Sequence, residues 1–260
     1  MIEPHWALAA GCVPDVEPWE IPRIAKAAGF ASCGMWVDPK TSWQEGALGR
    51  VSRALNETGV KLVDVEACWL EGGSQPSAEQ ALLVEVGLAL QAPNVLVVSR
   101  HDDYEASIEQ FRGLCEMAGD RLRLNLEFGE FTSVKSLAAA RAFIAEVDHP
   151  AAGILVDLMH LNRSGEPLPS LDDSLFSYVQ ACDFMQSSAS MTGLDYITAA
   201  VDGRCCLGEG EARTGDIETV RRADIDVSLE IRSKALRDQF PDPVERARQI
   251  FERCRREVQA

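Results

Sequence analysis

The chain has 260 residues and a formal net charge of −16, and 46% of its residues are hydrophobic and 25% charged. The acidity argues against nucleic acid or an acidic membrane surface as a partner, because phosphate-rich surfaces are bound by clustered Lys and Arg. The composition is that of an ordinary globular protein, and the length is one that α/β barrels commonly reach as a single domain.

Short β-like runs alternate with longer amphipathic segments along the chain. Strands are predicted at 5–10, 31–37, 61–67, 94–99, 122–128, 153–158, 177–183 and 226–231. Helices are predicted at 17–28, 43–58, 78–90, 105–117, 134–146 and 243–258. This alternation predicts parallel strands joined by crossover helices, and eight such units in about 250 residues match a closed barrel. A doubly wound open sheet competes less well, because no Gly-rich phosphate turn follows the first strand. We therefore expect residues 1–260 to form one α/β domain, a single (β/α)8 TIM barrel.

The N-terminal residues and the cysteine pattern bear on the cellular compartment of the protein. The first residues, MIEPHWALAAGCVPD, lack a basic segment followed by a long apolar run, and no apolar stretch has transmembrane length. The eight cysteines are scattered without a C-x-x-C pair, which is typical of reduced thiols. We expect a cytoplasmic protein without a signal peptide, and assign no role to the adjacent Cys205 and Cys206.

In several predicted strands the polar residues occupy every second position, and the positions between them are apolar. Because side chains alternate between the faces of a strand, the apolar set must face the helices and the other set the barrel interior. In residues 61–66 this groups Asp64 with Glu66 inside and places Val63 and Val65 on the helix face. The same division places five polar residues inside, near the C-terminal ends of their strands: Glu66, Glu127, Asp157, Gln180 and Glu230. That end of a barrel is where active sites are built.

Several buried acids at the C-terminal end of the barrel require a compensating cation, since burying an unpaired charge is prohibitively costly. Three carboxylates and an amide oxygen suit a hard divalent ion such as Mg²⁺ or Mn²⁺. The alternative is a structural network in which Arg123, Arg163 and Arg204 neutralise the acids. The strand phase alone leaves both open.

The segment AGILVDLMHLNRSG (152–165) ends a buried strand on Asp157 and continues to His160 and Arg163. We expect Asp157 to ligate the metal while His160 and Arg163, on the following loop, turn toward the substrate. Arg204 also follows an inward strand at this end of the barrel. A substrate anion among these carboxylates would need cationic partners such as Arg163 and Arg204.

The motifs from residue 122 onward resemble the sugar phosphate isomerase/epimerase superfamily, the xylose-isomerase-like TIM barrels. They are LEF (126–128), VDLMHLNRSG (156–165), YVQACD (178–183), LGEGE (207–211) and SLEI (228–231). The resemblance implies one divalent metal held by four strand-end residues, here Glu127, Asp157, Gln180 and Glu230. Mn²⁺ or Mg²⁺ is the expected ion, with Zn²⁺ and Co²⁺ as further candidates.

The resemblance also implies roles for other residues. His160 matches a substrate-contacting His, and Arg204 an Arg that meets a substrate anion or hydroxyl. Glu209, in the G-x-G loop, and Glu66 are further candidates for substrate contact. The strand-seven ligand is often His in epimerases, whereas the Gln180 found here is familiar from dehydratases acting on cyclic keto compounds, such as 3-dehydroshikimate dehydratases.

The implied chemistry is proton movement next to a carbonyl. A metal would stabilise an enediolate while Glu127 or Glu230 removes the α-proton. Return of the proton from the other face gives isomerisation or epimerisation of a keto-sugar or sugar derivative, which is the leading hypothesis. Loss of a β-hydroxyl, with His160 as acid, gives a lyase of the 3-dehydroshikimate-dehydratase or inosose-dehydratase type.

Two other classes complete the alternatives. A degenerate barrel without catalytic activity would bind no metal. The zinc endonuclease that cuts at abasic sites shares the fold, but four His and a charge of −16 do not suit it. We expect a small-molecule substrate, a keto-sugar or cyclic keto acid, with no nucleic acid or membrane partner; a homo-oligomer is compatible with the sequence.

Overall fold

The computed structural model describes residues 5–73, 75–185 and 192–256, and within them eight parallel strands close into a barrel. The strands in chain order are β1 (Trp6–Leu8), β2 (Ser32–Trp36), β3 (Lys61–Leu70), β4 (Asn94–Ser99), β5 (Arg123–Glu127), β6 (Ala152–Asp157), β7 (Tyr178–Ala181), β8 (Asp183–Phe184), β9 (Arg204–Cys205) and β10 (Asp226–Leu229). The barrel order is β1-β10-β7-β6-β5-β4-β3-β2, and β8 pairs with β9 in a separate small sheet. The predicted fold class, α/β with a (β/α)8 barrel, is confirmed.

Helices surround the barrel. They are α1 (Ile21–Ala28), α2 (Ala47–Thr58), α3 (Ala78–Leu90), α4 (Tyr104–Ala118), α5 (Leu137–Val147), α6 (Leu158–Ser164), α7 (Gly193–Asp202), α8 (Thr214–Arg222), α9 (Lys234–Gln239) and α10 (Pro243–Cys254). The predicted helices correspond to α1–α5 and α10. Helices α6–α9 were not predicted, because segments of six to ten residues are too short to show helical periodicity. None of the helices in the described ranges has both the length and the apolar character needed to cross a membrane.

Capping residues explain where the predicted helix boundaries shift. The segment predicted to be helical from residue 134 begins its helix at Leu137, because the Ser136 side chain accepts a hydrogen bond from the Ala139 N–H. Helix α3 starts where predicted, since Ser77 and Gln80 form a reciprocal capping box. The last helix ends at Cys254, and the predicted end at 258 lies outside the described residues.

The apolar core has two parts. Outward-facing residues such as Leu124, Leu126 and Val65 pack against the helices, as predicted. A smaller cluster fills the barrel interior and consists of Ala7, Val63, Leu96, Val98, Leu155 and Tyr178. The barrel interior below the polar C-terminal end is therefore filled with packed apolar side chains, as in other closed parallel barrels.

The prediction that Val63 faces the helices is wrong. On β2 and β3, Cys33 pairs with Leu62 but Gly34 pairs with Asp64, so Val63 is an additional residue at a β-bulge. A bulge interrupts strict alternation. Val63 consequently joins the interior cluster, while Asp64 and Glu66 keep the predicted inward phase; both are buried.

Arg123 lies at the opposite end of the barrel from the predicted site. It begins β5, and its Nη2 donates to the Ala152 carbonyl at 3.1 Å. Nearby, the Ser177 hydroxyl bonds Asn94 and Asn125 at 2.7 and 2.9 Å. Arg123 therefore does not neutralise the acids at the mouth, contrary to one of the alternatives considered from the sequence.

Candidate functional site

Five predicted polar residues lie together at the C-terminal end of the barrel. Glu127 and Asp157 end β5 and β6, Gln180 is on β7 beside Asp157, Glu66 is on β3, and Glu230 directly follows β10. All five are buried, with exposed fractions of 0–7%. The parallel strands and their shared register therefore bring these side chains together.

The Gln180 side-chain amide lies between two of the acids. Its NH2 group donates to Glu127 Oε1 and to Glu230 Oε2, each at 3.2 Å, because the opposite orientation would point the amide oxygen at two acceptors. Gln180 therefore links the two carboxylates, and it would offer its oxygen to an ion only with the amide turned over.

Arg204 supplies one positive charge to the acids. Its Nη1 donates to Asp157 Oδ2 at 2.5 Å, and its Nη2 lies 2.9 Å from Glu230 Oε2. Its Nε donates to the Ala200 carbonyl at 2.8 Å, which fixes the plane of the guanidinium. Of the three arginines considered as structural neutralisers, Arg204 pairs with the acids. It also lines the cavity described below.

One arginine does not balance this many acids. Burial alone would raise the pKa of Asp157, but Arg204 and His160 hold that pKa well below its usual value. Burial raises the pKa of Glu230 to about 8, against the opposing effect of Arg204. Burial and the charges of Glu230 and Asp157 raise the pKa of Glu127 well above normal. The site therefore needs protons or a second cation, and its oxygen-rich donor set fits a hard divalent ion.

His160 stands beside Glu127 in the first turn of α6. Its Nε2 lies 3.9 Å from Glu127 Oε1, and its ring meets the edge of Phe131 at 5.2 Å. Burial and the charges of Arg204 and Arg163 lower the pKa of His160 to about 4, so the imidazole is neutral at pH 7. One ligand atom each from Glu127, Asp157 and His160 lies within 4.8 Å of the others. These three residues form a candidate acidic/His metal site.

Two predicted substrate contacts lie elsewhere. The Arg163 guanidinium lies 5.8 Å from the ring centroid of Phe184 and 5.3 Å from that of Tyr196. Arg163 does not line the cavity described in the next paragraph. Glu209 points away, with its Oε1 3.6 Å from Arg253 on α10. The structure therefore does not bring Arg163 or Glu209 into the group around Gln180.

A cavity of about 320 Å³ opens above the acids. Glu66, Glu127, His160, Arg204 and Glu230 line it together with residues that the sequence reasoning missed: Trp36, Trp69, Arg100, Phe131 and Arg232. Arg100 directly follows β4, and Arg232 lies two residues beyond Glu230. Their positions just after predicted strands were a usable signal, because loops at this end of a barrel carry function.

Comparison with known proteins identifies the family. The model of the xylose isomerase-like TIM barrel family matches residues 22–254. The chain belongs to this family. Most members of the superfamily are enzymes, among them isomerases, epimerases and dehydratases. A comparison with curated protein sequences gives no match.

Solved structures share the fold at low sequence identity. A xylose isomerase-like TIM barrel/4-hydroxyphenylpyruvate dioxygenase fusion protein is 18% identical, with a TM-score of 0.75 over 96% of this chain and 42% of that one. This chain thus spans less than half of the fusion protein. The IolI protein with a zinc atom is 12% identical, with a TM-score of 0.76 over 98% of each chain. The probable 3-DHS dehydratase AsbF from Bacillus anthracis is 18% identical, with a TM-score of 0.73 over 95% of this chain and 98% of that one.

Proposed function

We propose that this protein is a divalent-metal-dependent isomerase or epimerase of a keto-sugar or sugar derivative. The observation that carries the proposal is the buried group of Glu127, Asp157 and His160, whose ligand atoms lie within 4.8 Å of one another beside a small cavity. Glu127 and Asp157, with Gln180 and Glu230 next to them, would hold the ion. A bound divalent ion would polarise the substrate carbonyl and offset the negative charge that develops on its oxygen.

The chain's own residues then move the proton. Glu127 and Glu230 both line the cavity, and each approaches the Gln180 amide from its own strand end. One carboxylate takes the proton from the carbon next to the carbonyl, giving an enediolate, and the other returns a proton to a neighbouring carbon or to the opposite face. Positioned carboxylates of this kind contribute about 10²–10⁴-fold to rate.

His160 and Arg204 orient the reacting groups. The neutral His160 imidazole lies 3.9 Å from Glu127 and lines the cavity, so it can hydrogen-bond a substrate hydroxyl and Glu127 in turn. Arg204 fixes Glu230 through its 2.9 Å contact, which directs the remaining carboxylate oxygen. The phenyl ring of Phe131 packs against His160 and lines the same cavity.

Dehydration of a cyclic keto compound is the second candidate. It is favoured by Gln180, the amide that the sequence resemblance associates with dehydratases, and by the likeness in fold to a probable 3-DHS dehydratase. The first step is the same α-proton removal by Glu127 or Glu230. The β-hydroxyl then leaves as water with a proton, and the electron pair forms the C=C bond. Because a pKa of about 4 leaves His160 neutral at pH 7, a protonated Glu127 is the better donor for that proton.

Exchange with solvent deuterium tests the proposal. The protein is loaded with Mn²⁺, Mg²⁺, Zn²⁺ or Co²⁺ and incubated in D₂O with ketohexoses and with cyclic ketones that carry a β-hydroxyl. Isomerisation predicts a new sugar deuterated next to the carbonyl, whereas dehydration predicts a conjugated product that absorbs in the ultraviolet. The Glu127→Gln variant is the matched control. Absence of exchange and of product on every substrate, with metal bound, would argue against both candidates.

A further inference from the structure

One side of the cavity carries two arginines that contact tryptophan rings. Glu127 and Glu230 line the cavity from the ends of β5 and β10, whereas Trp36 and Trp69 lie on β2 and β3, together with Glu66 on β3. Two arginines rest on these tryptophans. The Arg100 guanidinium stacks on Trp69 with 3.4 Å to the ring centroid, and that of Arg232 lies 5.8 Å from the Trp36 ring.

Arg232 can occupy this position because Gly11 has no side chain. A Cβ at residue 11 would lie 2.7 Å from Arg232 Cδ and 2.9 Å from its Cγ. Arg232 therefore passes over the chain that follows β1 and approaches Trp36 on β2.

Neither guanidinium is in an ion pair with a described residue, although Arg232 acts at longer range on Glu66 and Glu230. In the described part of the chain, Arg100 and Arg232 form no ion pair, their side chains make no hydrogen bond, and Arg232 Nε is buried without a partner. Arg204, the third arginine of the cavity, is by contrast fully engaged with Asp157 and Glu230. Burial lowers the pKa of Arg100 from its usual value, and the charge of Glu71 opposes that shift only in part. A guanidinium that packs against an aromatic ring, as that of Arg100 does on Trp69, keeps N–H groups available for a planar anion.

We propose that Arg100 and Arg232 form an anion subsite, and that the substrate of this protein carries a carboxylate or phosphate group at the end opposite its reacting carbonyl. The inference rests on the proposed function for the direction of the substrate: the carbonyl lies toward Glu127, Gln180 and Glu230, and the anion toward the two tryptophans. A cavity of about 320 Å³ limits that substrate to a small molecule.

The positions of the arginines explain why the subsite lies on this side. An anionic group close to Glu127 and Glu230 would be repelled, whereas Arg100 and Arg232 lie beside Trp36 and Trp69, where Glu66 is the one acid among the described residues that lines the cavity. Charge-assisted hydrogen bonds from Arg to carboxylate or phosphate are short and bidentate, which gives orientation as well as affinity. The two arginines would thus fix which end of the substrate meets Glu127 and Glu230.

Three polyols that differ in one terminal group test the subsite by binding alone. D-glucitol is neutral, D-gluconate carries a carboxylate and D-glucitol 6-phosphate carries a phosphate; their Kd values are measured calorimetrically with Mn²⁺ present. We expect at least one anion to bind about tenfold or more tightly than D-glucitol, as charge-assisted hydrogen bonds would give. Whichever anion binds more tightly identifies the group as carboxylate or phosphate.

Variants assign that preference to the two arginines. Arg100→Gln and Arg232→Gln should each remove most of the preference for the anion, measured as the ratio of the Kd of the anion to the Kd of D-glucitol in the same variant. Arg232→Lys should restore part of it, because charge returns without the planar fork. Gly11→Ala should weaken it as well, since the added Cβ displaces the Arg232 stem. Arg50→Gln is the matched control, because Arg50 stacks on Trp19 at 3.7 Å and does not line this cavity.

The outcomes separate the subsite from the proposed function. Equal Kd values for all three polyols, absence of binding by both anions, or an anion preference that survives both Gln variants would overturn the subsite. Turnover of neutral keto-sugars without anion preference would leave the proposed function standing and remove the subsite. An arginine-dependent anion preference in a protein that exchanges no α-proton would support the subsite and count against the proposed function.

Discussion

Asp157 and Arg204 form a buried ion pair at the centre of the site, with 2.5 Å between Asp157 Oδ2 and Arg204 Nη1. The same aspartate caps α6, because its Oδ1 accepts the N–H groups of Met159 and His160 at 2.7 and 3.2 Å. One carboxylate thus connects the end of β6, the start of the helix that carries His160, and the arginine that follows β7 and β8. Its two oxygens serve different partners.

We predict that Asp157→Ala lowers the free energy of unfolding of the metal-free protein by about 3 kcal/mol, since it leaves Arg204 partly unpaired and removes a helix cap. Asp157→Asn should cost less, because its amide oxygen can still cap α6. Urea denaturation in the presence of a chelator measures both. Equal stability of Asp157→Ala and wild type would show that Glu230 alone satisfies Arg204.

Glu127→Gln and Glu230→Gln are each predicted to reduce kcat/KM by about 10²–10⁴-fold without unfolding the protein, because each carboxylate is proposed to carry a proton. For Glu127→Gln, removing one like charge from a buried cluster should keep or raise the Tm of the apo protein. Deuterium exchange and thermal unfolding are measured on the same preparations. Wild-type exchange in either variant, with metal bound, would place the proton carriers elsewhere.

Gln180→His is predicted to change metal preference rather than fold. An imidazole at this position would favour Zn²⁺ and Co²⁺ over Mg²⁺ relative to an amide oxygen. Calorimetric titration should show about tenfold tighter Zn²⁺ binding by the variant, with little change for Mg²⁺. Identical affinities of the two proteins for every ion would mean that residue 180 is not a ligand.

Asp183 fixes the loop that follows Arg204. Its Oδ2 accepts from the N–H groups of Gly208 and Gly210 at 3.0 and 2.9 Å, and its Oδ1 from Ala212 at 2.8 Å. Asp183→Asn replaces one acceptor oxygen by a donor and should lower the free energy of unfolding by about 2 kcal/mol. The exposed Asp172→Asn is the control and should change it by less than about 0.5 kcal/mol. Equal effects of the two substitutions would contradict this role.

The barrel and its inward acids could be predicted because both depend on local alternation. Glu127 and Glu230 each belong to a strand in which every second residue is apolar and faces the helices. The residues between them, including these two glutamates, must point into the barrel, and parallel strands bring their ends together. Val63 escaped this rule because the bulge opposite Gly34 adds a residue that no sequence pattern marks. Strict period-two reasoning fails wherever such a bulge occurs.

The partners of the loop residues could not be predicted. Arg204 reaches Asp157 because β9 pairs with β8, a long-range contact that the sequence does not announce. Arg163 and Glu209 come after β6 and β9 in the chain, as Arg100 and Arg232 come after β4 and β10, yet of these four only Arg100 and Arg232 line the cavity. Position after a strand limits a residue to one end of the barrel. The direction of its side chain depends on the packing of neighbouring loops.

Anomalous diffraction from crystals soaked in Mn²⁺ tests the central claim most directly. The account predicts one strong peak in the site, about 2.0–2.3 Å from oxygens of Glu127, Gln180 and Glu230. Asp157 should complete the coordination or remain paired with Arg204, and the Gln180 amide oxygen should point at the ion. A peak elsewhere, or none in this site with the Gln180 NH2 donating to both glutamates, would contradict it.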